Sequence, residues 1–298
     1  MTTARIGDIT IEYDVHGPGD GEAIVLLMGL GMQMIAWRED LLALLADEGF
    51  RVIRMDNRDV GMSSKTSGPP PRRQHVVGAL VHRRLTRPDY TLENMASDVA
   101  GLLDALQVPA AHVVGASMGG MIAQELAIGW PGRVLSLCSI MSNTGDKRHG
   151  ALDPSLLPAL RRTMFAPPPT SRAARVERTV EIFRVISGPH FAEDDIRRLA
   201  EASADRSDDV VGPTRQLIAL NASPDRTRRL RQVRVPTLVV HGLRDRLVTP
   251  SGGIATTRAV NNSRLVMFPD MAHDLPTPRL PEIAEEIVRN ARRASTAR

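Results

Sequence analysis

One serine stands where a nucleophile could be built. In Gly115-Ala116-Ser117-Met118-Gly119 it follows the apolar run Ala111–Val114 and opens a helical stretch, Met118–Gly129, closed by Pro131. A strand–turn–helix of this kind exposes a serine hydroxyl on a strained turn. Gly115 and Gly119 suit that turn, because a side chain at either position would collide with it. The helix N-terminus beneath the serine aims N–H groups and partial positive charge at a reacting carbonyl. The competing readings are plain βα packing and a glycine-rich phosphate turn.

A hydroxyl nucleophile needs a base, and the base needs an orienting acid. Of the eight histidines, His16, His75, His82, His149 and His190 fall in loops or irregular segments, while His112 and His241 belong to strands and read as structural. His273 lies five residues past the apolar run Leu265–Phe268, in Pro269-Asp270-Met271-Ala272-His273. A loop after the final strand reaches the carboxyl edge of a parallel sheet, where the serine turn also lies. Asp245 follows the run Thr237–His241 and reaches the same edge; Asp274, Asp270 and Asp146 are its rivals. The order Ser117, Asp245, His273 is one in which such triads occur. An oxyanion hole requires two N–H donors. Met118 N–H is one candidate, and the loop Met28-Gly29-Leu30-Gly31-Met32 should supply the other.

These residues meet only if the intervening elements carry them to one edge. Strands are expected at Ile9–Tyr13, Ala23–Met28, Arg51–Met55, Ala111–Val114, Val134–Met141, Thr237–His241 and Leu265–Phe268. Short apolar runs bounded by Gly or Asp read as buried parallel strands. Helices are expected at Trp37–Glu48, at Leu92–Leu106 with Thr91 as N-cap, and at Pro281–Arg292. Repeated β-then-α order implies an α/β class with a doubly wound, mostly parallel sheet. The order breaks between 145 and 235, an Arg-rich stretch of helical period. It reads as a helical cap inserted between two strands, leaving 1–144 and 236–298 as the core.

Composition narrows the function classes. The 298 residues are 42% hydrophobic and 24% charged, an ordinary globular balance. No apolar run reaches the roughly 18 residues of a membrane span, and the first residues lack the apolar stretch of a secretory signal. With a single cysteine, Cys138, these features lead to an expectation of a cytoplasmic protein. The pI of about 9.9 arises because the basic residues are nearly all Arg, with Lys65 and Lys147 the only lysines. A net charge of +4 with 3% aromatics argues against nucleic-acid binding. One segment, 60–88, contains no acidic residue and six basic ones: Lys65, Arg72, Arg73, Arg83, Arg84 and Arg87. Val76, Val77, Leu80, Val81 and Leu85 interleave with them, a pattern that fits peripheral contact with an anionic membrane.

Five motifs together give the chain a resemblance to the α/β-hydrolases, specifically small serine esterases with a helical cap. They are MGLGMQMIAW, DNRDVGMSS, VVGASMGG, HGLRDRLVTP and PDMAH, in the family's order. The chain looks most similar to bacterial esterases and lipases of the type that includes anthracycline methyl-ester hydrolases. The resemblance implies Leu30 N–H as the second oxyanion donor and no metal or organic cofactor. Met28-Gly29 departs from the His-Gly of most relatives and makes the site floor more apolar. Arg58-Asp59 replaces a common Arg-Gly. Ser117 separates the chain from epoxide hydrolases and haloalkane dehalogenases, which carry Asp there. Hydroxynitrile lyases need a lysine in the site, and neither lysine lies near the triad motifs.

The expected reaction is hydrolysis of an apolar ester, with lipid and phospholipid among the candidates, through an acyl-enzyme. Acyl transfer, thioester or C–C hydrolysis, and a ligand receptor with incidental turnover are the alternatives. Of thirteen methionines, seven fall in or beside the motifs. Met28, Met32, Met121, Met141 and Met271 are candidates to line a permissive pocket. Met164, Phe165, Phe183, Ile186, Phe191 and Leu217 are candidates for the inner face of the cap.

Overall fold

The computed structural model describes residues 2–81, 85–164 and 168–295, less the side chains of Arg161, Thr163, Met164 and Ser295. The strands are β1 (Thr2–Ile6), β2 (Ile9–His16), β3 (Ala23–Leu27), β4 (Arg51–Met55), β5 (Ala111–Ala116), β6 (Val134–Ile140), β7 (Thr237–Gly242) and β8 (Ser263–Phe268). They form one sheet in the order β1-β2-β4-β3-β5-β6-β7-β8. From β4 to β8 every pairing is parallel, whereas β1 and β2 join antiparallel at the edge. Sequence reading misses β1, because TTARI has no apolar run and buries only Ala4.

The central strands bury both faces, and their residues alternate between two cores. In β3, Ala23, Val25 and Leu27 join one core, while Ile24 and Leu26 join the other. Helices α3 (Leu92–Ala105) and α4 (Met118–Gly129) cover the first face, with α1 (Glu39–Asp47) and α11 (Leu280–Ser295) on the second. Between α1 and α3 lies α2 (Arg73–Val81). Thr91 starts α3 with a reciprocal cap: its hydroxyl accepts from Asn94 N–H, and Asn94 Oδ1 accepts from Thr91 N–H. Leu92, Met95, Val99, Leu102 and Leu103 then face the core. On the other face, Cys138 of β6 is fully surrounded.

The chain passes from β3 to β4 on one side, then returns to place β5 on the other side of β3. Loops leaving β3 and β5 therefore diverge and open a crevice at the carboxyl edge, the switch point of a doubly wound sheet. Between β6 and β7 run α5 (Leu157–Met164), α6 (Arg172–Ile186), α7 (Glu193–Arg206), α8 (Gly212–Ala222) and α9 (Thr227–Leu230); no strand interrupts them among the described residues. Helix α10 (Ser251–Ala259) connects β7 to β8. No helix among the described residues is long and apolar enough to cross a membrane.

Candidate active site

Ser117 joins β5 to α4 with φ 55° and ψ −118°. This region is strained for a residue with a Cβ, on the order of 1–3 kcal/mol, and persists only when the surroundings impose it. They do. Ser117 N–H donates to Ile140 C=O at 2.9 Å, and its own C=O accepts from Gly120 N–H, Met121 N–H and Ser142 Oγ. The turn packs backbone on backbone: a Cβ at Gly115 would lie 2.1 Å from Gly119 O, and one at Gly119 would lie 2.0 Å from Leu27 O.

His273 Nε2 lies 3.0 Å from Ser117 Oγ, and His273 Nδ1 lies 2.8 Å from Asp245 Oδ2. The tautomer that satisfies both contacts has Nδ1–H donating to the carboxylate and Nε2 accepting from the hydroxyl. Asp245 Oδ1 is held by Leu247 N–H and Val248 N–H, each at 2.9 Å. Its Oδ2 also faces His241, whose Nε2 is 3.4 Å away and 2.8 Å from Val248 C=O. Burial by itself would raise the Asp245 pKa, but His273 and His241 bring it down to about 2.

The rival acids are engaged elsewhere. Asp274 accepts from Ala272 N–H and Gly188 N–H, and burial raises its pKa. Asp270 binds His190 and Arg279, and Asp146 binds Arg148.

Beside the serine, Gly29 to Met32 form a tight turn in which Met32 N–H donates to Gly29 C=O at 3.2 Å. A Cβ on Gly29 would lie 3.2 Å from Ser117 Cβ, so the turn rests directly on Ser117. No group among the described residues accepts from Leu30 N–H. Met118 is the first residue of α4, where N–H groups have no acceptor inside the helix. A carbonyl held over Ser117 would thus meet a hydroxyl, a base that can take its proton, and free donors.

The model of the α/β-hydrolase fold family matches residues 22–276. The chain is an α/β-hydrolase. Over an alignment of 317 residues it is 27% identical to rhodomycin D methylesterase DnrP of Streptomyces peucetius, covering 99% of this chain and 100% of that one. A shorter stretch of 141 residues is 35% identical to "Putative carbamate hydrolase RutD" of Variovorax paradoxus, spanning 47% of this chain and 46% of that one. The fold is also that of the meta-cleavage product hydrolase from Pseudomonas fluorescens IP01, with a TM-score of 0.76, 16% identity and coverage of 99% and 98% of the two chains.

In this α/β-hydrolase the methionines near the motifs are mostly packed into the two cores. Met118 and Met121 join the α3–α4 face; Met28, Met141 and Met271 join the α1–α11 face, with half-buried Met32 against them. Ile186 is buried, and Phe183, Phe191 and Leu217 are half-buried. Phe165 and the side chain of Met164 lie outside the described residues, as do His82, Arg83 and Arg84.

Three polar residues at the site escape sequence reading. His241 reads as a strand-end histidine, although its i,i+4 spacing to Asp245 is a visible signal. Asp56 lies inside a quoted motif without a role. It is buried, accepts from Met34 N–H and Met62 N–H, and pairs with Arg206 at 2.7 Å, so it ties α7 to the β3 loop. Gln216 sits on α8, where nothing in the local pattern marks it.

Proposed function

We propose that this α/β-hydrolase is a serine carboxylic-ester hydrolase of the carboxylesterase or lipase type, acting on an apolar ester. The observation that carries the reading is the hydrogen-bonded sequence Ser117–His273–Asp245 on an imposed, strained turn. As Ser117 Oγ bonds to the ester carbonyl carbon, His273 Nε2 takes the hydroxyl proton and Asp245 stabilises the imidazolium. Leu30 and Met118 N–H groups hold the oxyanion. Collapse of the tetrahedral intermediate breaks the C–O bond to the alcohol, which leaves with the proton from His273. Water then attacks the acyl-enzyme, with His273 accepting its proton and returning one to Ser117. No step calls on a metal or an organic cofactor.

Similarity to a methylesterase along nearly the whole chain supports an ester carbonyl over the other electrophiles. The 145–235 helices act as the cap that selects substrate. Ile186, Phe183, Phe191 and Leu217, with Met28, Met32, Met121 and Met141 toward the floor, supply apolar surface for the acyl and alcohol groups; Met271, fully buried, packs behind them. Flexible methionines favour varied chains over one rigid ring.

Intact-mass measurement with a fluorophosphonate tests the nucleophile. The wild type should gain one adduct, Ser117→Ala none, and the variant should lose about 10⁴-fold or more in kcat on a p-nitrophenyl ester panel. A wild type that takes no label, or a variant that keeps several per cent of activity, overturns the assignment.

A second reading concerns segment 60–88, which the same proposal treats as a docking face for anionic lipid. Its support is an exposed apolar surface: Val77 44%, Leu80 41%, Val81 63% and Leu85 63% exposed, within a stretch that has no acidic residue.

A further inference from the structure

The turn that carries Leu30 N–H is not held by the core alone. We infer that Gln216, a residue of the inserted helices, is a positioning residue for the oxyanion hole. The inference rests on the reading of Ser117 and Leu30 given above.

The Gln216 side chain is completely buried. Its Oε1 accepts from Gly31 N–H at 2.8 Å, and its Nε2 donates to Arg58 C=O at 2.8 Å. The orientation of the amide is forced, because an N–H needs an acceptor and a carbonyl needs a donor. Arg58 is adjacent to Asn57, whose Nδ2 donates to Met28 C=O at 2.9 Å. A closed circuit results: Gly31 N–H, Gln216, Arg58 C=O, Asn57, Met28 C=O.

That circuit brackets Leu30. The peptide before Gly29 is held by Asn57, Gly29 C=O is held by Met32 N–H, and the peptide after Leu30 is held by Gln216. Gly31 has φ 70°, as the third residue of a type II turn requires. Such a turn converts to type I when its central peptide flips, and Gly31 N–H belongs to that peptide. Gln216 blocks the flip. Pro213 of the same helix closes the remaining space, with its Cβ 3.2 Å from where a Gly31 Cβ would sit. Leu30 N–H is left as the group with no acceptor among the described residues, aimed by its clamped neighbours.

A neutral carboxamide suits this position. It supplies one acceptor and one donor, and it places no net charge beside a developing oxyanion. Methionine matches its length and loses both bonds. Glutamate reproduces both bonds when protonated and fails when ionised.

The test measures ester hydrolysis and binding of a trifluoromethyl ketone, which forms an oxyanion on Ser117, in the full chain. Gln216→Met should lower kcat about 10–100-fold with KM changed less than about threefold, and ketone affinity should fall in step with kcat/KM. Gln216→Glu should recover toward wild-type kcat/KM as pH falls and lose it as the carboxyl ionises, a limb that the wild type lacks. This second variant decides the matter if the methionine variant does not fold. Unchanged kcat, a loss confined to KM, undiminished ketone affinity, or a glutamate variant with the wild-type pH profile would each sink the inference. If the wild type itself takes no fluorophosphonate, the reading of Ser117 fails and this inference with it. If it labels normally and Gln216→Met is as fast as the wild type, only the role of Gln216 fails.

Discussion

At Ser117 the backbone conformation and the proposed chemistry have opposite demands. Glycine would relax a φ of 55°, yet only serine supplies the hydroxyl. Ser117→Gly should therefore be more stable than Ser117→Ala by about 1 kcal/mol, less a few tenths for the added chain entropy of the unfolded glycine. Urea denaturation of the two variants measures this, and equal midpoints would show that the turn is not strained. Ser117, Asp245 and His273 are legible in the sequence because each sits in a short turn beyond an apolar strand run. The strand fixes where the side chain emerges, and the residue type narrows what it does. Gln216 and His241 are not legible in this way. A glutamine within a helical stretch has no strand to locate it, and a histidine ending a strand looks like core until its carboxylate neighbour is placed.

Among the elements, α4 appears at Met118–Gly129 in sequence and structure alike, because Gly115, Gly119 and Pro131 bound it chemically. The edge strand β1 is invisible for the opposite reason: one covered face and two threonines leave no periodic signal. Helix α2 lies between these extremes. Its exposed Val77, Leu80 and Val81 follow helical spacing, yet the face they make is turned outward. If anionic lipid covers that face, the protein should sediment with phosphatidylglycerol-containing vesicles and not with phosphatidylcholine alone. Arg72→Ser with Arg73→Ser and Arg87→Ser should weaken this at least about tenfold at low salt, since each surface charge contributes about 1 kcal/mol. Val81→Ser with Leu85→Ser should weaken it as well. Vesicle binding that ignores both sets of changes would remove the membrane from consideration.

For the whole molecule, the candidate site is where separately folded stretches of chain are fastened together. Asp245 follows β7 and His273 follows β8, while His273 N–H donates to Ile186 C=O at the end of α6. The Asp245 carboxyl is therefore both part of the site and a link between loops. Its pKa in the fold, about 2, lies below the value near 3.9 of an unfolded chain. A depressed carboxyl stabilises the fold fully above the unfolded value and loses that contribution as pH falls through the folded one. The stability advantage of the wild type over Asp245→Asn should thus hold from neutral pH down to about 4 and shrink between about 4 and 2. Denaturant titrations across that range measure it, and a gap that does not change with pH would show that Asp245 is not held in its charged form. The doubly wound plan is legible from β/α alternation. How the 145–235 helices grip the core is not, because Arg206–Asp56 and Gln216–Gly31 join residues 150 and 185 positions apart.

Cys138, enclosed within β6 and with its thiol pKa raised by burial, leaves the native fold without a reactive sulfhydryl. The protein is therefore suited to thiol-specific spectroscopy with its own cysteine left in place. A fluorophore or spin label attached through one new cysteine on the outer surface of α7 would report on that helix alone, and its movement during turnover could be followed in real time without background.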